Sequence, residues 1–201
     1  ILVSMEKLAV IGLGNPGPEY EKSRHNLGFW LLDALAERED LRFKANTRFH
    51  AQVAQMERKS NKYLLIKPMT FMNDSGRFLS SLLSYFGCAT GGSVVVHDEM
   101  AFPLAHLKIS QNKGDGGHNG VKSVVSAIGS SLVRFRIGIG AKPDPQVKLS
   151  DFVLSDLNQR EWEYLQDRSD YLCRCLLDLL DQGVDATMNA INQTHPPAKP
   201  L

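Results

Sequence analysis

The strongest constraint on the fold is the unbroken run KLAVIGL at residues 7–13, which closes on Gly12 and Gly14. A segment this apolar on successive side chains reads as a buried strand, covered on both faces. The segment SVVVH at residues 93–97 has the same character and reads as a central strand. Residues 49–56 and 63–67 read as two further strands, joined across the polar stretch 57–62 in a hairpin. Residues 107–110 and 135–140 complete the strand candidates. Between them lie helical patterns. Residues 26–38 place Phe29, Leu32, Leu35 and Ala36 on one face; residues 75–86 end at Gly87; residues 120–128 follow a glycine turn. The clearest helix covers 159–180, where Trp162, Leu165, Leu172, Leu176 and Leu179 form one stripe. Asn158 and Glu161 have the spacing of a capping box, Gly183 suits the exit, and a short helix follows over 184–192. Helices alternating with strands, together with a hairpin, predict an α/β fold: one domain with a twisted mixed sheet flanked by helices.

A chain of 201 residues is one domain by length, at most two, and can bury its own core. Met5 reads as the native start and residues 1–4 as an expression scar, which sets the domain at 5–194, with 195–201 as a flexible tail. No apolar run approaches the roughly 18 residues that span a bilayer, and no secretory signal opens the chain. The three cysteines, Cys88, Cys173 and Cys175, are odd in number and form no CxxC. They read as reduced packing residues of a cytoplasmic protein. The net charge of +1 hides an asymmetry: residues 1–150 carry 19 Lys+Arg against 13 Asp+Glu, a net +6, while residues 151–201 carry 4 against 9, a net −5. A polyanion can dock on the body while the acidic end stays away. A solvated charge mosaic accounts for the same numbers.

Gly12-Leu13-Gly14-Asn15-Pro16-Gly17 fits the letter of G-x-G-x-x-G. It fails as a dinucleotide loop, because Pro16, Gly17 and Pro18 prolong the turn where a helix should open, and no second strand ending in an acid follows about 20 residues on. Polar residues instead gather where strands end: Asn15 and His25 after the first, Asn73 before a helix, Asp98 at the end of the central strand, His118 and Asn119 in a glycine turn. In α/β sheets such loops converge at the carboxyl ends of strands. A histidine backed by a carboxylate is a usable general base near pH 7. No serine elbow or glycine-turn cysteine offers a nucleophile, so water is the expected attacker. Asparagine carboxamides donate and accept neutral hydrogen bonds, which suits a peptide backbone of any sequence. Capping competes at Asn73 and Asn119, each just ahead of a helix. A metal at His97-Asp98-Glu99 with His118 lacks the supporting H-E-x-x-H or cysteine pair. His50, His106 and His195 have no companions and read as surface or structural residues.

Taken together, these motifs resemble the bacterial peptidyl-tRNA hydrolase family. The matching segments are Gly12 to Tyr20, Ser23 to Gly28, Lys67 to Gly76, His97-Asp98-Glu99, Gly116 to Gly120 and Arg134 to Gly140, in family order. The resemblance implies a three-layer fold of the phosphorylase/hydrolase kind and cleavage of the ester between peptide and tRNA. It makes His25 the proton acceptor, Asp98 its support and Asn15 the residue separating blocked from free aminoacyl-tRNA. It assigns Tyr20, Phe71, Asn73 and Asn119 to the peptidyl-adenosine end of the substrate, and Arg136 to a tRNA phosphate. It implies no metal or organic cofactor, no membrane and a monomer whose partner is peptidyl-tRNA. The chain departs from the family at Ala101, where an acid is usual, at Ser110, often basic, and at Asp115. A non-catalytic RNA-binding relative on the same fold, or an esterase indifferent to RNA, are the rival readings.

Overall fold

A computed structural model describes residues 7–142 and 144–194; residues 1–4 and 195–201, read above as scar and tail, lie outside the described residues. The strands are β1 (Lys7–Gly12), β2 (Lys44–Asn46), β3 (Ala51–Arg58), β4 (Asn61–Pro68), β5 (Val94–Glu99), β6 (Leu107–Gln111) and β7 (Val133–Gly138). They form a sheet in the order β2-β3-β4-β1-β5-β7-β6. The four central strands, β4, β1, β5 and β7, are mutually parallel, and β2, β3 and β6 add antiparallel edges. The helices are α1 (Leu27–Arg38), α2 (Leu79–Phe86), α3 (Asn119–Ile128), α4 (Leu149–Leu154), α5 (Gln159–Asp167), α6 (Ser169–Gln182) and α7 (Val184–Thr194).

The apolar run at the start behaves as its composition demands. In β1, Val10 enters one core with α1 and the C-terminal helices, while Ala9 and Ile11 enter a second core with α2 and α3. Side chains alternate across the pleat, so a strand buried on both faces needs apolar residues at every position. The result is three layers with the sheet in the middle, as the sequence predicts.

Four details differ from the sequence reading. The hairpin turns at Lys59-Ser60 alone, because Glu57 pairs with Lys62 and Arg58 with Asn61 across the two strands, and the charged residues assigned to a loop continue the ladder instead. α2 begins at Leu79 and not near residue 75: Ser75 Oγ donates to Met72 O and Gly76 N donates to Ser123 Oγ, so the chain spends that stretch in turns against α3. The stripe over 159–180 is two helices, α5 and α6, which part at Arg168. Its apolar positions skip from Leu165 to Leu172, so no side chain holds one continuous face across the join. β2 and α4 went unread, since three and six residues are too short to show a period. The capping box at Asn158 and Glu161 is present with both of its hydrogen bonds, and all three cysteines are buried.

Candidate active site

The carboxyl ends of β1, β4 and β5 lie side by side in the sheet, and their loops carry the polar residues singled out above. His25 sits in a single helical turn, Arg24–Asn26, that runs into α1. The close approach of α1 to the sheet is what brings it there. Leu13 N donates to Val96 O at 2.9 Å and Phe29 N to Leu13 O at 3.2 Å. Gly28 makes this contact possible, since a Cβ there would lie 2.3 Å from Leu13 N and 2.4 Å from Val96 O.

His25 Nδ1 lies 2.9 Å from Asp98 Oδ1, and His118 Nε2 lies 2.9 Å from the same oxygen. The tautomers follow from the remaining contacts. His118 caps α3, its Nδ1 accepting from Val121 N at 3.3 Å, so its Nε2 carries the proton and donates to Asp98. An ionised carboxylate only accepts, so His25 Nδ1 is also a donor and its Nε2 is left with a lone pair. Burial by itself would push the Asp98 carboxyl up; the imidazoles of His118 and His25, by charge and hydrogen bond, outweigh it and hold the group well below the usual carboxylate range. A third histidine, His97, packs its ring 4.8 Å from that of His118. Full burial, reinforced by the nearby His118, lowers its pKa well below the ordinary value, so it stays neutral, with Nδ1 2.6 Å from Asp98 O.

The Asp98–His118 cluster forms one end of a cavity of about 200 Å³, walled by Glu99, Met100, the Gly116–Asn119 turn and, from α4, Leu149, Ser150 and Val153. Asn119 lines it and also faces Asn73 across an adjoining open groove with Lys122, Ser123 and Ser126. Both asparagines are exposed. Neither caps a helix: His118 caps α3, and Phe78 stands at the cap of α2. Tyr20 and Phe71 meet edge to face with centroids 6.3 Å apart, and Phe71 is 61% exposed, a surface on which a base can stack. Asn15 is buried and fixed on three sides. Its Oδ1 accepts from Met72 N at 2.8 Å, while its N and O pair with the Asn26 side chain, each at 2.9 Å. It borders a second, larger cavity of about 470 Å³ with Trp30, Lys67 and Trp162.

Arg136 is not free: its guanidinium donates to Oε2 of Glu99, a residue of the cavity wall, at 2.8 and 3.1 Å. Ser110 is buried opposite Arg134 in the β6–β7 ladder, facing inward. Asp115 holds the glycine turn by accepting from Gly117 N at 2.7 Å.

His25, Asp98 and His118 offer ligand atoms within 4.8 Å of one another, so they are the one group of that kind among the described residues. A cation there would displace both N–H···O contacts on Asp98 and would need the His118 nitrogen that carries the proton, so these residues fit a hydrogen-bonded triad better than a metal centre. Sequence reasoning placed His118 among the site residues and weighed it only as a metal ligand, not as a second partner of Asp98; its place in Gly116-Gly117-His118-Asn119-Gly120 was the signal available. The Glu99 counter-ion and the α4 wall left no comparable mark.

The family model described as peptidyl-tRNA hydrolase matches residues 9–199. A protein named peptidyl-tRNA hydrolase from Dichelobacter nodosus is 34% identical over 90% of this chain and 95% of its own length. Another of that name, from Edwardsiella ictaluri, is 37% identical over 91% and 94%. The crystal structure of peptidyl-tRNA hydrolase from Acinetobacter baumannii superimposes with a TM-score of 0.86 at 30% identity, covering 96% of this chain and 98% of that one. An MTA/SAH nucleosidase structure shares the fold alone, at 7% identity and a TM-score of 0.51.

Proposed function

Because the chain belongs to the peptidyl-tRNA hydrolase family and hydrolyses peptidyl-tRNA, we propose that His25 is the base that activates water for this reaction. The observation that carries the reading is the 2.9 Å contact of His25 Nδ1 with a buried carboxylate, which leaves Nε2 free to take a proton. Water gives that proton to Nε2 and its oxygen attacks the ester carbonyl. Asp98 stabilises the imidazolium that forms, as a carboxylate does behind any such base. The tetrahedral intermediate collapses by breaking the bond to the ribose oxygen. That oxygen takes the proton back from His25, releasing tRNA with a free hydroxyl and the peptide as its acid. His118 shares the Asp98 oxygen and keeps the carboxylate oriented between the two rings.

Asn73 and Asn119 offer uncommitted carboxamides to the peptide backbone and to the developing oxyanion. Tyr20 and Phe71 supply the stacking surface for the terminal adenine. Asn15, whose Oδ1 is committed to Met72, turns its amide donor toward the carbonyl of a blocked amino group. Arg136 meets a tRNA phosphate in exchange for Glu99. In this reading the enzyme acts in the cytoplasm as a monomer spanning 5–194, without metal or organic cofactor. No helix of the described residues is long and apolar enough to cross a membrane.

The test is turnover of an N-blocked aminoacyl-tRNA with and without a chelator. His25→Ala is expected to lose about 10²–10⁴-fold in kcat, the usual contribution of a positioned base, and the chelator to do nothing. Near wild-type turnover by His25→Ala would remove the base assignment, and inhibition by the chelator would replace it with a metal centre. Tight tRNA binding without turnover by the wild-type protein would turn the reading into that of an RNA-binding relative.

A further inference from the structure

We propose that Arg24 is a positioning residue that clasps the helical cover of the site, α4 and α5, to the loop that carries His25. Arg24 is the residue next to the base and is only 8% exposed. Its guanidinium reaches three separate elements. Nη1 donates to Ile139 O at 2.9 Å, just past the end of β7. Nη2 lies 2.8 Å from Glu161 Oε1 and 2.6 Å from Oε2, at the first turn of α5. The plane lies over the Phe152 ring of α4, 4.8 Å from its centroid. The backbone adds two more ties to the same segment: Arg24 N donates to Ser155 O at 3.0 Å, and Leu157 N donates to Lys22 O at 3.0 Å.

These contacts give Arg24 a geometric task. α4 supplies Leu149, Ser150 and Val153 to the wall of the reaction cavity. α4 has six residues and buries Phe152 alone, too little to hold it in place unaided. Phe152 rests under the Arg24 guanidinium, and Glu161 is fixed in turn by its capping box, where Oε2 accepts from Asn158 N at 2.9 Å. The wall and the base are therefore referred to one side chain. Only a planar, forked cation can face a carboxylate, a carbonyl and an aromatic ring at once; a lysine ammonium cannot. A base misplaced by about 1 Å costs up to about 10²-fold in rate.

The proposal rests on His25 being the base, and its test separates the two. Turnover of N-blocked aminoacyl-tRNA is measured for the wild type, Arg24→Lys, Glu161→Gln and the double variant, with His25→Ala as reference. Thermal midpoints and amide exchange over residues 149–157 are recorded for each. The Glu161 side chain is twice as exposed as that of Arg24, 18% against 9%, so Glu161→Gln keeps the test open if Arg24→Lys folds poorly. Each single variant is expected to lose about 10- to 100-fold in kcat, with KM changed less than about threefold. The double variant should lose no more than the more damaging single one, because both remove the same clasp. Exchange over 149–157 should rise while that of β5 does not. Multiplicative losses in the double variant, or kcat at wild-type level in Arg24→Lys with exchange unchanged, would overturn the clasp and leave the base assignment standing. An active His25→Ala would overturn the base assignment itself.

Discussion

Asp98→Asn is the sharpest perturbation of the site, because a single oxygen of Asp98 serves both His25 and His118 at 2.9 Å. The carboxamide has nearly the same shape, so the packing of a residue that is 3% exposed survives. The charge does not. As His25 takes its proton, the wild-type enzyme gains attraction between imidazolium and carboxylate. At 2.9 Å and an effective dielectric constant near 20, this is worth about 6 kcal/mol before the cost of desolvation. A floor comes from comparing hydrogen bonds: a charge-assisted one exceeds a neutral one by about 1 kcal/mol. The loss therefore falls between these limits. At about 1.4 kcal/mol per decade, kcat should drop by between about 5-fold and about 10⁴-fold, the upper limit being comparable to the removal of charge behind the histidine of a serine-protease triad. KM should hold, since Asp98 is almost wholly buried and its carboxylate is engaged by the two histidines. The assay is release of free tRNA from N-blocked aminoacyl-tRNA under saturating substrate, with circular dichroism to confirm the fold. A folded Asp98→Asn variant within about threefold of wild-type kcat would refute the reasoning, since it would mean that no charge develops on His25.

Three further outcomes test other parts of the site. Glu99→Gln should tighten tRNA binding by freeing Arg136, and Arg136→Ala should weaken it, lower the salt slope by about 0.7–0.9 per lost phosphate contact and leave a short nucleotidyl ester unaffected; identical salt titrations for the three proteins would remove Arg136 from the phosphate. Asn15→Asp keeps the acceptor for Met72 N but offers a carboxylate to a free amine, so unblocked aminoacyl-tRNA should compete better; unchanged competition would count against Asn15 as the discriminator. His97 is held neutral in the fold by burial, so below its ordinary pKa near 6.5 the unfolded chain binds a proton that the folded chain does not. Stability should thus fall as the pH drops below about 6.5, by at most about 1.4 kcal/mol per unit from this residue for as long as the buried ring stays neutral. Denaturant midpoints of His97→Asn should show a flatter acid limb, and an unchanged limb would mean the buried ring takes a proton.

The parts of this protein that were readable in the sequence are those in which one residue type answers one physical demand. KLAVIGL had to be buried on both faces, and β1 is. Asn158 and Glu161 had the spacing of a capping box and form one. His25 and Asp98 were linked through family resemblance, and they are in contact across 73 residues of sequence. What was not readable depends on partners that sequence order does not reveal. Nothing in the glycine turn says that His118, and not Asn119, closes the helix. That choice depends on Asp98 lying within reach of Nε2 while Nδ1 still faces Val121 N. The split at Arg168 was hidden because Asp167, Arg168 and Ser169 are all tolerable within a helix, and the gap in the apolar stripe from Leu165 to Leu172 is by itself too short to mark a helix end. α4 was invisible for a similar reason: a six-residue helix is specified by what covers it.

The charge asymmetry is the clearest case in which the structure changes the meaning of a sequence fact. Read linearly, a body of +6 and an end of −5 suggest a basic surface for RNA with an acidic segment kept clear of it. In the fold, C-terminal acids reach back to body arginines: Glu161 to Arg24, Asp181 to Arg58 at 2.7 Å, and Asp170 to Arg38. Three of the six surplus charges are thereby paired within the molecule, which leaves a surplus of about three on the body. The Arg58 pair shows the effect on both partners, the hydrogen bond raising the pKa of the arginine and lowering that of Asp181. A field of this size, screened beyond about 8–10 Å at physiological salt, steers a polyanion weakly. The proposed grip on tRNA phosphate is therefore better sought in single cations than in the overall field: Lys122 lies in the groove with Asn73 and Asn119, and Arg136 is paired with Glu99. The acidic segment is better understood as a structural counter-charge, and one of its members, Glu161, faces Arg24 beside the proposed base.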